Sequence, residues 1–307
     1  MKSKIIKFYI VDVFAAQKYQ GNQLAVFLDL ENELSDIQMQ SMAREINFAE
    51  TTFIKAIKDN QRFVVKIYTP EHEIPFAGHP SLGTSYIIAK FLMTETVSKL
   101  TLELPIGDID ISILEPNKLD DSLFFMRQTQ PKFKETFEHN EMSTALDIPF
   151  ADLETTLPIQ EISTGLPYII IPLKNLAAME RLNLDYKILK TFLLSKNKYK
   201  TNSETGHSTS LFFFTKEVYE TAHDYNVRML LIENDKMSED AATGSANGCF
   251  LAYLLKHVAP SVKAVVEQGF QMNRKSFLYL DGLYQNELYQ INVGGLTQLI
   301  SEGNWYI

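Results

Sequence analysis

Two segments of this chain follow one plan, and that plan limits the fold more than any other feature. Val65-Lys66-Ile67-Tyr68 reads as a strand, and its loop ends in Ala77-Gly78-His79-Pro80-Ser81-Leu82-Gly83 before the helical run Thr84–Leu92. Val227-Arg228-Met229-Leu230 also reads as a strand, and its loop ends in Thr243-Gly244-Ser245-Ala246-Asn247-Gly248 before the helical run Cys249–Val258. The basic strand residue stands 12 positions before the first glycine in one copy and 16 in the other, so the second connection is four residues longer. A pseudo-repeat of strand, glycine turn and helix predicts two related halves. Each half then offers a glycine-opened helix start with free backbone N–H groups and a partial positive charge. If the two halves face one another, these ends converge on one anion site. Either turn alone has a plainer meaning, since glycine is common wherever φ must be positive.

The 307 residues suit roughly two domains of about 150. A chain of this size buries about three-quarters of its unfolded surface, so its core needs no disulfide or metal staple. Apolar patterning predicts strands at Phe8–Phe14, Ala25–Leu28, Thr52–Ala56, Phe63–Tyr68, Leu100–Leu104, Asp110–Leu114, Leu123–Gln128, Ile159–Ser163, Tyr168–Pro172, Ser210–Thr215, Tyr225–Ile232, Lys263–Glu267, Ser276–Asp281 and Leu288–Val293. Apolar spacing of three and four predicts helices at Ser35–Ile46, Pro80–Leu92, Met142–Leu146, Leu176–Asn183, Asp185–Leu194 and Ala246–Val258. Glu115–Ser122 strings turn formers and charges between apolar runs, and it divides the chain near residue 120 into halves 1–120 and 121–291.

Composition removes several classes of function. Cys249 is the only cysteine, which excludes an internal disulfide framework and a multi-cysteine zinc site and makes the cytoplasm the expected compartment. A formal charge of −9 with no Lys/Arg block argues against nucleic acid as a partner. Lys7 and Asp12 interrupt the first apolar stretch before it reaches signal-peptide length, and no apolar run reaches the roughly 18 residues of a membrane span. Gly78–Ser85 reads GHPSLGTS, close to a phosphate loop, but Thr84 stands where the essential lysine belongs. With no G-x-G-x-x-G either, no nucleotide cofactor is expected. His72 between Glu71 and Glu73 has no companion at metal-ligand spacing, so it reads as a solvated loop and no metal is expected.

Asp12-Val13-Phe14 with Gly21-Asn22, Ala49-Glu50-Thr51-Thr52-Phe53, Pro75-Phe76-Ala77-Gly78-His79-Pro80, Ser163-Thr164-Gly165-Leu166-Pro167 and Glu239-Asp240-Ala241-Ala242-Thr243-Gly244-Ser245 occur in this order. With Glu267-Gln268-Gly269 and Val293-Gly294-Gly295, the series resembles the motifs of the phenazine biosynthesis PhzF-like family over nearly the whole chain. The resemblance implies an α+β, diaminopimelate epimerase-like fold: two pseudo-symmetric domains, each a mostly antiparallel sheet wrapped around a central helix, with the active site in the cleft between them. It also implies that residues 292–307 return to the first half, and that two chains form a homodimer.

Carried over residue by residue, the resemblance makes Glu50 the acid/base carboxylate. From pattern alone an exposed strand-end glutamate is the plainer reading, and the resemblance reverses it. At the start of a mostly apolar strand, Glu50 is expected to be partly desolvated and able both to take and to give a proton. His79 matches the histidine of the glycine-histidine-proline turn and is expected to exchange a proton at neutral pH. Asp240 and Ser245 match a polar pair able to reach a ligand at the second helix start, although Ala241 replaces the family's usual proline and loosens the expected aim of Asp240. Gly78 and Gly244 supply the flanking backbone donors. Tyr19, Asn22 and Gln23 fall in the early motif, and His207 precedes a strand.

Epimerases of this fold use two opposed cysteines, one at the head of each central helix. The matching positions here are Ala77 and Thr243, which removes two-thiol chemistry, and Cys249 reads as a small buried apolar residue. The expected function is therefore a cofactor-independent isomerase that moves a proton within a small unsaturated or cyclic anionic acid. Backbone N–H groups at Gly78, His79, Gly244 and Ser245 would stabilise a dienolate-like transition state. The competing expectations are a non-catalytic small-molecule binding protein and an epimerase with Glu50 and Asp240 as opposed bases.

Overall fold

In the computed structural model, the described residues are 4–59, 61–204, 206–233 and 235–307. They fall into two compact units, residues 1–127 with 294–307 and residues 128–293. The first unit carries β1 (Ile5–Val13), β2 (Asn22–Leu28), α1 (Asp36–Ile46), β3 (Glu50–Asp59), β4 (Arg62–Tyr68), β5 (Glu73–Ile74), α2 (Gly78–Ile87), β6 (Lys99–Leu104), β7 (Gly107–Ile113) and β8 (Phe124–Arg127). The second carries β9 (Lys132–Phe137), α3 (His139–Leu146), β10 (Ile159–Ser163), β11 (Pro167–Pro172), α4 (Leu176–Arg181), α5 (Tyr186–Ser195), β12 (Ser210–Thr215), β13 (Tyr225–Glu233), β14 (Lys236–Asp240), α6 (Gly244–His257), β15 (Ser261–Gln268) and β16 (Ser276–Gln285). Then β17 (Leu288–Gly295) leads to β18 (Thr297–Tyr306), which pairs antiparallel with β1.

The strand pairings of the two units match. In the first, β1 is antiparallel to β2, β2 parallel to β3, β3 antiparallel to β4, β4 antiparallel to β5 and parallel to β6, and β6 antiparallel to β7. In the second, β10, β11, β12, β13, β14, β15 and β16 repeat the same sequence of directions. The four extra residues of the second copy lengthen one hairpin. Tyr68 pairs with Glu73 across β4 and β5, whereas Leu230 pairs with Glu239 across the longer β13–β14 ladder.

Each sheet is covered on both faces, so its central strands lack simple alternation. In β3, Thr51 to Lys55 are all buried. One face packs on α2, whose ten residues are all buried, and α1 covers Phe27, Phe53 and Tyr68 through Met39, Met42 and Ala43. The aromatic rings stack there, Phe27 on Phe53 at 5.2 Å between centroids. In the second unit α6 packs on β10, β11, β15 and β16, while α3, α4 and α5 bury Ile169, Ile171, Leu211 and Phe213 from outside. A helix apolar all round needs such enclosure.

The division falls after Arg127 rather than near residue 120, because Glu115–Ser122 only connects β7 to β8, which pair antiparallel. The helix expected over Pro80–Leu92 begins two residues earlier and widens into a π turn over Ile88–Leu92. The polar strands β9 and β18 were absent from the apolar patterning. Among the described residues no helix is long and apolar enough to cross a membrane.

Candidate active site

In the first unit the site grows from the start of α2. Ala77 is its N-cap, in extended conformation and with no side-chain oxygen to offer. The first helical bond is Ser81 N–H to Ala77 O at 3.3 Å, and Pro80 has no N–H to satisfy. The donors without a helix partner are therefore those of Gly78 and His79. The Ser81 hydroxyl donates back to Ala77 O at 2.8 Å, and Thr84 and Thr52 share a 2.8 Å hydroxyl contact that ties α2 to β3.

Glu50 opens β3, and only 18% of its side chain is exposed. Its Oε2 lies 3.4 Å from Nε2 of His79, which is buried. The Asn22 amide nitrogen sits 3.4 Å from His79 Nδ1. The ring turns its Nε2 toward Glu50. Asn22 is brought there by the loop after β1. Asp12 accepts from Tyr19 N–H at 2.7 Å, and Gly21 turns at φ +67° where a Cβ would stand 2.2 Å from Val13 O. Only glycine makes that turn without displacing backbone.

Burial lowers the His79 pKa to about 3, with a backbone contact to Gln23 acting weakly the other way. This corrects the expectation of proton exchange at neutral pH. His79 is neutral near pH 7 and adds no positive charge beside the carboxylate.

In the second unit Thr243 is the N-cap of α6, again extended and without a side-chain bond to the helix. The helix ladder closes with Asn247 N–H to Thr243 O at 3.1 Å, which leaves the N–H groups of Gly244, Ser245 and Ala246 without helix partners. The Thr243 hydroxyl turns away from the helix and donates to Asp240 Oδ2 at 2.6 Å. Ser245 Oγ is 2.7 Å from the Tyr168 hydroxyl. Behind the turn Gln268, wholly buried, bonds Thr243 and Asn247. Glu239 forms a two-pronged pair with Arg228, at 3.0 and 2.7 Å, which anchors β14 just before Asp240.

Each unit thus presents its expected residues together: Glu50, Gly78 and His79 in the first, Asp240, Gly244 and Ser245 in the second. Asn22 reaches His79, whereas Tyr19 is 71% exposed and Gln23 is exposed. His207 lies exposed in the loop before β12, where its carbonyl accepts from Ser203. His72 is held in an exposed turn closed by Thr69. Cys249 is buried, and burial raises its thiol pKa to about 12, so it is no nucleophile or base near neutral pH. Tyr168, Thr243 and Gln268 are further polar partners that the motif spacing does not single out. All three stand in or beside the motif stretches, but their bonds run between separate elements.

A family model described as phenazine biosynthesis-like protein matches residues 11–303. The chain belongs to this family. A relative in Pseudomonas aeruginosa, trans-2,3-dihydro-3-hydroxyanthranilate isomerase, is 29% identical over 305 residues, covering 98% of this chain and 99% of the relative. An uncharacterized isomerase of Mesorhizobium japonicum is 28% identical over 309 residues, covering 98% of each. The crystal structure of a Bacillus anthracis PhzF-family protein matches with a TM-score of 0.84 at 25% identity, covering 99% of this chain and 100% of that one. The PhzF-family chain accordingly has the sheet-rich α+β, diaminopimelate epimerase-like fold. Its N-cap residues Ala77 and Thr243 carry no thiol.

Proposed function

We propose that this PhzF-family protein is a cofactor-independent isomerase that moves a proton within a small unsaturated or cyclic carboxylic acid. The observation that carries this reading is Glu50, a largely buried carboxylate beside a neutral imidazole. Glu50 breaks a C–H bond by taking the proton, and the electron pair spreads into a dienolate-like system. The same carboxyl group returns the proton to another carbon, so atoms and electrons balance without an oxidant or reductant. N–H donors at Gly78, His79, Gly244 and Ser245 stabilise the developing oxyanion, each well-placed donor contributing about 2.7–4 kcal/mol. Asp240 and Ser245 hold the substrate. The reading requires residues of both units to meet one substrate, a small anionic acid.

Support comes from relatives named isomerases. The test incubates the protein in D2O with a panel of unsaturated and cyclic acids that includes trans-2,3-dihydro-3-hydroxyanthranilate, for which the Pseudomonas relative is named. Deuterium is followed by NMR and product stereochemistry by chiral chromatography. Glu50-dependent exchange with a shifted double bond is expected. Exchange unchanged in Glu50→Gln would refute the assigned role, binding without exchange would favour a binding protein, and interconversion of enantiomers would favour an epimerase.

A further inference from the structure

The hydrogen bonds behind the start of α6 run in one direction, and that direction ends on Asp240. Gln268 has two N–H donors and a carbonyl oxygen with two lone pairs, and all four are used. Its Nε2 donates to Asp240 O at 2.9 Å and to Thr243 Oγ1 at 3.0 Å. Its Oε1 accepts from Thr243 N–H at 3.2 Å and from Asn247 Nδ2 at 2.9 Å. Reversing this amide would set its nitrogen against the Thr243 N–H and its oxygen against the Asp240 carbonyl, so one orientation satisfies the site. Asn247 is fixed the same way, because its nitrogen also donates to Thr243 O at 3.0 Å. Thr243 Oγ1 must therefore accept from Gln268, and its single proton goes to Asp240 Oδ2, 2.6 Å away.

The frame that holds Gln268 is equally specific. Its neighbour Glu267, wholly buried, accepts from Tyr219 N–H, Glu220 N–H, His223 Nδ1 and Asn226 Nδ2 at 2.8–3.0 Å. On the other side Gly269 sits at φ +74°, where a Cβ would stand 2.4 Å from Arg274 O and 2.6 Å from Ala241 O. Glu267 thus anchors the end of β15, and Gly269 lets that end lie against the turn carrying Asp240.

We propose that Gln268, acting through Thr243, is the positioning residue that fixes Asp240 as an ionised hydrogen-bond acceptor rather than a proton donor. A proton on Oδ2 would oppose that of Thr243, and wherever the proton sat, the bond donated by Thr243 is stronger to the carboxylate than to the acid, so it favours the ionised form. An Asp240 held in this way is a weak base, and proton transfer is left to Glu50. The inference deepens the proposed function and rests on it only for the placing of Asp240 in the site.

The test follows Asp240 itself. Protein labelled with 13C at aspartate Cγ is titrated by NMR, with the signal assigned through Asp240→Asn. Thr243→Val removes the hydroxyl at nearly constant shape, and the Asp240 midpoint is expected to rise by about one to two pH units. Thr243→Ser restores it. Gln268→Met raises it by a smaller amount, because a free Thr243 hydroxyl still donates part of the time. Tyr168→Phe, which removes the hydroxyl bonded to Ser245, leaves it in place. A midpoint unmoved by Thr243→Val overturns the inference, even if Gln268→Met fails to fold. If the midpoint moves but no acid exchanges deuterium, the positioning role stands and the isomerase reading falls. If exchange depends on Glu50 while the midpoint stays put, the reverse holds.

Discussion

The starts of α2 and α6 open alike and are equipped differently. Both follow an extended N-cap without a side-chain bond to the helix, both begin with glycine, and both lead into buried helices. Around α2 the polar groups are few and mostly buried: Pro80 cuts the unpaired helix donors to two, and buried His79 faces Glu50. Around α6 three helix donors are free, and a polar network fixes the side chains beside them. At the register where the second unit has Asp240, opposite Met229, the first has apolar Ile74, opposite Ile67. The pseudo-repeat therefore supplies two similar glycine-opened helix ends, and under the proposed function their divergence gives proton transfer to one and substrate holding to the other.

The sharpest way to break that division is to compare Glu50→Gln with Asp240→Asn in the deuterium exchange assay. Glu50→Gln is expected to lower exchange by about 10²–10⁴-fold, the usual worth of a positioned acid/base group, and Asp240→Asn by clearly less. Equal losses would mean that both carboxylates move protons. Next in size are the glycines that shape the two loops. Gly21→Ala and Gly269→Ala each force an L residue to positive φ against backbone oxygen at 2.2 and 2.4 Å, and each should cost more than about 2 kcal/mol in urea unfolding. A smaller loss in either would show that its loop can relax.

Acid titration separates the two ends further. His79 has a pKa near 3 when folded and near 6.5 when exposed, so the unfolded chain binds more protons between these values. Stability should be unaffected by His79 above about pH 6.5 and should fall as the pH drops toward 3, by up to about 1.4 kcal/mol per unit. His79→Gln should flatten that acid slope in unfolding measurements, and an unchanged slope would show that His79 is accessible. The smallest effect belongs to Tyr168→Phe, which removes one neutral hydrogen bond to Ser245. It should raise KM about 2–10-fold with little change in kcat.

The positions of the two helix starts were legible because Gly78, Pro80 and Gly244 mark them directly. The lone cysteine and the residues Ala77 and Thr243 were enough to remove two-thiol chemistry. Other elements left weak signals. β9 and β18 carry too many polar residues to show apolar alternation, and β18 is a strand because β1 pairs with it. Glu115–Ser122 looks like a linker, since turn formers and charges mark any exposed connection, including one between paired strands.

By itself, then, the sequence determined that two related halves each carry a glycine-opened helix, and that Glu50, His79, Asp240 and Ser245 stand in the motifs beside them. Those are local properties, written in backbone preference and short-range spacing. Tertiary structure alone decided that His79 is neutral, that Thr243 points its proton at Asp240, and that Gln268 closes the network, because burial and hydrogen-bond direction depend on residues distant in the chain.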